Sequence, residues 1–513
     1  MQPSESERAS GQKPVPTLTQ RTVGGAGWSA LANISRQVLA FAGVAVLARQ
    51  LGPGAYGLMG MAATATSLLA NFRDLGTAAA VIQRPTVNRD LLCSLFWVNL
   101  GFGALLTVTV ALASGPVAWF FHTPQIARIL QVLSLSFLVQ SAGTVHNALL
   151  NREMRLKATA MVDAISALAG YAVAIPMALR GFGVWSLVTA NLVSPLISTL
   201  LYWAASGWRP SLTFKGREIR SVAGFSLNLS GFGLVNYFAR NADNVIVGRY
   251  LGAGPLGNYQ MAYNLMMYPI QNVTSTLSQA LLPAFAKIQG EDTRFADAYV
   301  RSCSLIALIT FPLIAGMGIV AKPLVSAVLG PKWIPVVPIF QILAPVGVIQ
   351  SVQSTVGLIY VAKGRTAWML GVGMSTTAVF VAAFMVGVRN GTTGVAAAYG
   401  IAYVLVLYPA LAVPFRMIGL PVAEFARKLG PQLAITGAMV LACGGFQWLL
   451  SALGVRNAWA QLLSTVGVGV VTYVSLMRWF QPPAVYYAAE TFSHLDLAIA
   501  RRAASLFRRM MGA

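Results

Sequence analysis

At 513 residues, of which 56% are hydrophobic and only 10% charged, the chain has too little polar surface to cover a water-soluble body of its size. A formal net charge of +22 would point to nucleic acid in a soluble protein. Here Lys and Arg stand singly between apolar runs, which excludes a basic nucleic-acid stripe and points to positive charge retained on one side of a membrane.

Residues 1–23 are rich in Ser, Gln, Pro and charge and read as a disordered cytoplasmic tail. No short apolar run with a small-residue cleavage site follows, so the first apolar helix is expected to stay as an uncleaved anchor. Crossing hydrocarbon takes about 20 apolar residues in a helix. Fourteen segments meet that length: 27–50, 55–73, 91–113, 127–150, 157–179, 183–205, 222–248, 256–282, 299–321, 335–361, 367–388, 393–415, 430–453 and 458–479. With the N-terminus in the cytoplasm, 26 of the 36 Lys and Arg fall on the cytoplasmic side, eight fall opposite, and Arg36 and Arg240 lie within spans. The asymmetry predicts a multi-pass protein with both termini cytoplasmic.

A seventeen-residue stretch, 46–62, recurs at 246–262 with an offset of 200: Val46-Leu-Ala-Arg49-Gln-Leu-Gly-Pro-Gly-Ala-Tyr-Gly57 against Ile246-Val-Gly-Arg249-Tyr-Leu-Gly-Ala-Gly-Pro-Leu-Gly257. The pairing continues with Arg155 and Arg365 at an offset of 210. The expectation is an all-α polytopic membrane protein built from two six-helix lobes related by a pseudo-two-fold axis along the membrane normal. The lobes are 24–206 (helices one to six) and 222–416 (helices seven to twelve), joined by a cytoplasmic loop at 207–221. Helices thirteen and fourteen (430–480) stand outside the duplication, and 481–513 reads as a basic amphipathic tail on anionic lipid.

Each repeat contains Gly-x-Gly-x-x-Gly, at 52–57 and 252–257, but a dinucleotide site needs a strand before the glycines, and helices of membrane length precede these. The glycines instead let the chain reverse and let span ends approach. Cys93, Cys303 and Cys443 lie within apolar stretches without disulfide or metal-ligand spacing and read as packing thiols.

Polar side chains are costly in hydrocarbon, so those that persist are expected to face the bundle interior or water. Helix one carries Asn33, Arg36 and Gln37 on one face, and helix seven carries Asn236, Arg240 and Asp243 at helical spacing. Helix two carries Thr64 and Asn71, matched on helix eight by Asn264 and Gln271 at an offset of 200. Gln140, Thr144, Asn147 and Asn151 form a stripe on helix four, matched on helix ten by Gln350 and Ser354 at an offset of 210. The set predicts a wet, uncharged-to-cationic cavity, joined by Tyr237, Tyr263, Tyr268 and Tyr360. The competing reading is that these amides only join helices, at about 0.6 kcal/mol per hydrogen bond, and that Arg240 and Asp243 form a local ion pair. Amides and aromatic faces suit sugars, and guanidinium forks at Arg36 and Arg240 suit phosphate oxygens. Seven Asp, seven Glu and three dispersed His offer no paired carboxylates, metal ligands or nucleophile with base, so no catalytic residue, metal site or cofactor is predicted and the chain reads as a non-enzyme.

Four segments, Ala48-Arg-Gln-Leu-Gly-Pro-Gly-Ala-Tyr-Gly57, Leu149-Leu-Asn-Arg-Glu-Met-Arg155, Gly181-Phe-Gly-Val-Trp185 and Asn241-Ala-Asp-Asn-Val-Ile-Val-Gly-Arg249, carry a resemblance. By them the chain resembles Wzx-type polysaccharide flippases, of the colanic-acid kind, in the multidrug/oligosaccharidyl-lipid/polysaccharide exporter superfamily. The resemblance spans helices one to about twelve. It implies transfer of undecaprenyl-diphosphate-linked oligosaccharides across the bacterial inner membrane for exopolysaccharide or lipopolysaccharide synthesis. It also implies Arg36 near the diphosphate, and Asp243 where some relatives couple to an ion. The second helix-one arginine of lipid II flippases has no counterpart here, where Gly43 or an apolar neighbour stands. Expected partners are the lipid-linked oligosaccharide, membrane lipids and a polysaccharide polymerase complex, with no nucleic acid. The alternatives are an ion-coupled multidrug antiporter of the same superfamily, which would want cavity carboxylates, and a glycan polymerase or ligase, which would want a large outward loop.

Overall fold

The computed structural model describes residues 41–70, 77–84, 87–215, 241–480 and 483–487, and within them every regular element is helical. The first half holds α1 (Phe41–Gln50), α2 (Pro53–Ala70), α3 (Thr77–Gln83), α4 (Arg89–Phe120), α5 (Gln125–Arg152), α6 (Leu156–Leu179) and α7 (Val184–Ser206). The second holds α8 (241–251), α9 (Ala253–Lys287), α10 (Asp292–Ile319), α11 (Ala321–Leu324), α12 (Val336–Gln353), α13 (Val356–Ala362), α14 (Thr366–Gly387) and α15 (Gly391–Arg416). Then follow α16 (Val422–Ala452) and α17 (Ala458–Phe480). Among the described residues nine stretches are long and apolar enough to cross a membrane, the longest, Thr366–Arg416, running through both α14 and α15.

Several limits differ from those the sequence suggests. The span expected over 91–113 runs on as α4 to Phe120, with Pro116 inside it. The Ser114 hydroxyl bonds the Ala111 carbonyl at 2.6 Å in the turn that proline interrupts. Helix ten is divided at Ser354 and Thr355 into α12 and α13. The short α3 was not expected; Thr77 at its start is buried and exchanges hydrogen bonds of 2.9 and 3.0 Å with Asn99 of α4. α4 begins where expected for a capped helix, the Asn88 side chain accepting from the Leu91 N–H at 2.8 Å.

The two copies of the repeat meet through their glycines. A Cβ on Gly57 would lie 1.6 Å from the Ala253 carbonyl oxygen, and one on Gly257 would lie 2.0 Å from that of Pro53. The first turns of α2 and α9 thus cross backbone to backbone, each glycine facing the other copy's helix start. By contrast, nothing lies within 4 Å of a Cβ at Gly52 or Gly54. Gly252, with φ of 87°, turns the chain from α8 into α9 in a conformation that only glycine adopts without cost.

Around this crossing the halves share one core. Ala48, Met61, Ala62 and Phe121 of the first pack in a single cluster with Leu256, Tyr259, Met266 and Trp333 of the second. Toward the opposite end the described residues divide: Val81, Leu92, Phe96 and Val145 form a cluster of first-half residues, while Ile270, Phe285, Tyr299 and Phe415 belong to one of second-half residues. Matching staples close that end of each half. Arg152, ending α5, donates to the carbonyls of Val81 at 2.7 Å and Arg84 at 2.6 Å, and Lys363, after α13, donates to the Gln289 carbonyl and to Asp292 Oδ1, both at 2.5 Å. Residues 207–215 lie along α4, where Trp97 Nε1 donates to the Ser211 carbonyl at 2.9 Å and Lys215 pairs with Asp90. α16 and α17 pack beside α10, Tyr473 donating to the Leu308 carbonyl at 2.8 Å.

The crossing makes a sharp prediction. Gly57→Ala should lose about 1–3 kcal/mol of stability through forced separation of α2 and α9, whereas Gly54→Ala should be neutral or slightly stabilising. Thermal unfolding of the two purified variants in detergent measures the difference.

Candidate functional site

The site is built on helices that leave the glycine crossing. On α9, Asn264, Tyr268 and Gln271 follow i, i+4, i+7 spacing, and all three are exposed. They stand about 17 to 27 Å along the helix from Ala253. Phe41 of α1, also exposed, comes to 6.2 Å from the Tyr268 ring, ring centre to ring centre, bringing the two halves together at that level.

The flanking helices carry the remaining described amides. On α5, Gln140, Thr144 and Asn147 are half-buried; Thr144 Oγ1 donates to the Gln140 carbonyl at 3.1 Å, and Asn147 Oδ1 accepts from Asn151 at 2.9 Å. On α12, which packs against α9, Gln350 is half-buried with its Oε1 enclosed and unbonded. Ser354 is exposed at the end of α12 and bonds back to the Ser351 carbonyl at 2.9 Å. Tyr360, expected in the cavity, is instead 3% exposed in the second half's own core. Asn33, Arg36, Gln37, Asn71, Asn236, Tyr237 and Arg240 lie outside the described residues.

Asp243 does not stand in the open. It is 6% exposed, its Oδ1 accepts from the Asn244 N–H at 2.7 Å, and Tyr259 approaches the same carboxyl. Tyr263 stacks on Tyr259 with ring centres 6.3 Å apart, and Tyr399 and Tyr403 of α15 complete an aromatic group with Phe380 of α14. Tyr403 in turn donates to Gln353 of α12. A carboxyl enclosed by phenols and joined to three helices of the second half can hold a proton or a small cation and pass its charge state to their packing.

At the glycine-turn end the halves are tied by hydrogen bonds. Arg49 Nε donates to the Val328 carbonyl at 2.9 Å and its Nη2 to that of Ala327; Lys332 Nζ donates to the Gln50 carbonyl at 3.1 Å; buried Trp333 donates from Nε1 to the Ala48 carbonyl at 2.8 Å. Arg249 Nη1 lies 2.9 Å from His122 Nε2 and its guanidinium sits 5.6 Å from the Phe120 ring centre. The sequence reading passed over this set because most acceptors are main-chain carbonyls, which sequence does not display. The recurrence of Arg49 as Arg249 was the signal available.

Two open grooves, of about 630 Å³ between α4, α5 and α7 and about 620 Å³ between α14 and α15, are lined chiefly by apolar residues such as Leu100, Leu138, Leu196, Val379 and Val406, and suit hydrocarbon rather than sugar.

Comparison with known proteins adds the following. The profile of a family described as polysaccharide biosynthesis protein matches residues 46–338. The lipopolysaccharide biosynthesis protein WzxC of Escherichia coli (strain K12) is 29% identical over 373 residues, 72% of this chain and 76% of that protein. The succinoglycan biosynthesis transport protein ExoT of Rhizobium meliloti (strain 1021) is 28% identical over 330 residues, 64% and 67% of the two chains. Among solved structures, lipid II flippase MurJ in an inward closed conformation shares the fold with a TM-score of 0.71 at 14% identity, covering 88% of this chain and 98% of that one. An inward-facing multidrug resistance transporter of the MATE family aligns with a TM-score of 0.60 at 16% identity, covering 75% and 94%.

Trp333→Phe keeps the edge-on contact with Tyr56, at 5.2 Å between ring centres, and deletes only the indole N–H. The variant should unfold about 1–3 kcal/mol more easily because the Ala48 carbonyl is left buried and unpaired, read from its denaturation midpoint against that of the parent.

Proposed function

The chain belongs to the polysaccharide biosynthesis protein family, and from that membership we propose that it is a flippase for undecaprenyl-diphosphate-linked oligosaccharide repeat units in the bacterial inner membrane. It works by alternating access between two six-helix lobes, 24–206 and 222–416, with both termini in the cytoplasm and helices thirteen and fourteen added at the flank. The observation that supports the reading is the exposed Asn264, Tyr268, Gln271 stripe on α9, next to a core that the two halves share around the glycine turns. Amides and a phenol ring are the groups that hydrogen-bond and stack on sugar.

In the proposed cycle the glycine-turn end is the outward end and is closed, so the cavity opens to the cytoplasm. Arg36 and Arg240 take the diphosphate, while Asn33, Gln37, Asn71, Gln140, Thr144, Asn147, Asn236, Asn264, Gln271, Gln350 and Ser354 hold the glycan. The prenyl chain stays in lipid, against apolar surface. Rocking about the Gly57 and Gly257 contact, with flexure at Pro176, Pro195, Pro269, Pro312 and Pro345 inside α6, α7, α9, α10 and α12, reopens the cavity outward. Moving two negative charges out of an inside-negative cell gains about 4.6 kcal/mol per 100 mV. Enclosure of Asp243 among tyrosines supports ion coupling at that carboxyl. It also favours a glycan over a drug cation, which would want the carboxylate open to the cavity. The polymerase that consumes the exported glycan is the partner this reading expects.

Full-length protein in vesicles, given a labelled undecaprenyl-diphosphate sugar, tests each part. Asn264→Leu with Gln271→Leu should slow flipping about tenfold, from two lost hydrogen bonds, and Arg36→Ala with Arg240→Ala should slow it further; unaltered rates in both would end the substrate assignment. For Asp243→Asn, flipping should persist but no longer respond to an imposed proton or sodium gradient.

A further inference from the structure

We propose that the groove between α4, α5 and α7 of the first half binds one anionic phospholipid, an acyl chain lying among Trp97, Leu100, Ala104, Leu138 and Leu196 and the phosphate meeting Arg89 and Arg209 at the groove's end. The site goes beyond the flippase reading and rests on it only for the leaflet, which is the cytoplasmic one.

The groove, of about 630 Å³, exists because small residues stand where larger ones would fill it. Gly101, Ala104 and Ala142 line it, and nothing lies within 4 Å of a Cβ at Gly101. Its one side-chain hydroxyl is already used, Thr199 Oγ1 donating to the Val139 carbonyl at 3.0 Å, so the surface offers little to a sugar and suits a hydrocarbon chain. It runs about 10 Å along α4 from Trp97 to Ala104, within the about 15 Å that the chains of one leaflet fill. In the second half the matching positions are packed. Leu138 and Ala142 correspond, at the offset of 210, to Val348 and Val352, which are 8% and 5% exposed in that half's own core, whereas Leu138 is 36% exposed.

Indoles and cations gather at one end of the groove. Trp97 Nε1 donates to the Ser211 carbonyl at 2.9 Å and Trp203 Nε1 to that of Ala142 at 2.8 Å, so two indoles join the groove to segment 207–215. Tryptophan favours the level at which acyl chain gives way to headgroup. Arg209 is exposed, 5.8 Å from the Trp203 ring centre. Its Nη1 donates to the carbonyls of Trp203 at 2.8 Å and Trp208 at 2.9 Å, while Nε and Nη2 have no partner among the described residues. Arg89, exposed at the start of α4, falls on the same helical face as Leu100 and Ala104. The acids of this end are engaged elsewhere, Asp90 by Lys215 and Glu153 by Arg155. A phosphate diester brings one negative charge and oxygens that accept from a guanidinium fork, and an ammonium on the same headgroup would cancel much of that gain.

The occupant is a lipid of the surrounding leaflet and not the transported molecule. On α5 the groove residues Leu138 and Ala142 stand on the opposite side of the helix from Gln140 and Asn147, so α5 separates the groove from the amide stripe. A chain in the groove leaves that stripe untouched. It supplies to α4, α5 and α7 the packing that the second half obtains from its own side chains.

Full-length protein in phosphatidylcholine vesicles containing about one tenth phosphatidylglycerol, brominated on its acyl chains, tests the site by fluorescence quenching. The fluorophore is attached at Leu200→Cys, exposed one turn along α7 from Leu196, or at Leu441→Cys, exposed on α16, the native cysteines being buried. At Leu200→Cys the brominated lipid should quench as though enriched about fivefold, and at Leu441→Cys in line with its share of the lipid. Arg89→Gln with Arg209→Gln should lose the enrichment, and Arg89→Lys with Arg209→Lys should keep most of it. Gly101→Leu, which places a side chain in the groove, should melt no lower than the parent and should also lose it. Equal quenching at the two labels, or enrichment retained by Gly101→Leu, overturns the site, and one result from the glutamine and lysine pairs overturns the anionic headgroup. Displacement of the brominated lipid by an equal amount of undecaprenyl-diphosphate-linked sugar would make the groove the substrate's own and overturns the phospholipid. Enrichment intact in protein that flips no lipid-linked sugar would instead overturn the flippase reading and leave the lipid site standing.

Discussion

The backbone contact between Gly57 and Gly257 is the constraint on which the rest of the arrangement depends. In hydrocarbon, helices gain nothing from hiding apolar faces from one another, because lipid solvates those faces as well as protein does. What remains is dispersion at close approach, and only glycine allows main chain to meet main chain. Each copy supplies one glycine opposite the other copy's helix start, so a single sequence motif produces both sides of the contact. The shared core, the crossing arginines and the splayed polar faces of α9 and its neighbours all radiate from that point.

Duplication gives the scaffold its symmetry, and divergence gives it chemistry. Thr64 is buried and bonded to the Gly60 carbonyl, while its counterpart Asn264 is exposed on α9. A carboxyl among tyrosines stands in the second half at Asp243, where the first half has Gly43. α16 and α17 extend one side alone. The framework residues repeat because both halves contribute to one crossing, and the polar residues around it differ between the halves.

Helical membrane character was plain in the sequence, since apolar runs of the required length leave few other folds open. Helix limits such as 157–179 and 458–479 fall within a residue of α6 and α17 because polar turns bound them. α4 runs past its expected limit at 113 with Pro116 inside it, since a membrane helix tolerates proline where neighbouring groups satisfy the freed carbonyl. The α9 stripe was legible from its period. Tyr360 was not, because a tyrosine on a helix carries no mark of which face is packed. The clasp of Arg49, Lys332 and Trp333 could not be read, because its acceptors are carbonyls presented by a π turn that no residue type announces.

Arg152 and Lys363 lie at the extremity farthest from the crossing, where each bolts the end of one long helix to the connection that follows α2 or α9. Bars joined in this way swing together instead of shearing. α9 has 35 residues, about 52 Å of helix, so ten degrees at the pivot sweeps its far end through about 9 Å. A small adjustment of the packing around the glycine contact would thereby be amplified into a large displacement at the opposite end of α9.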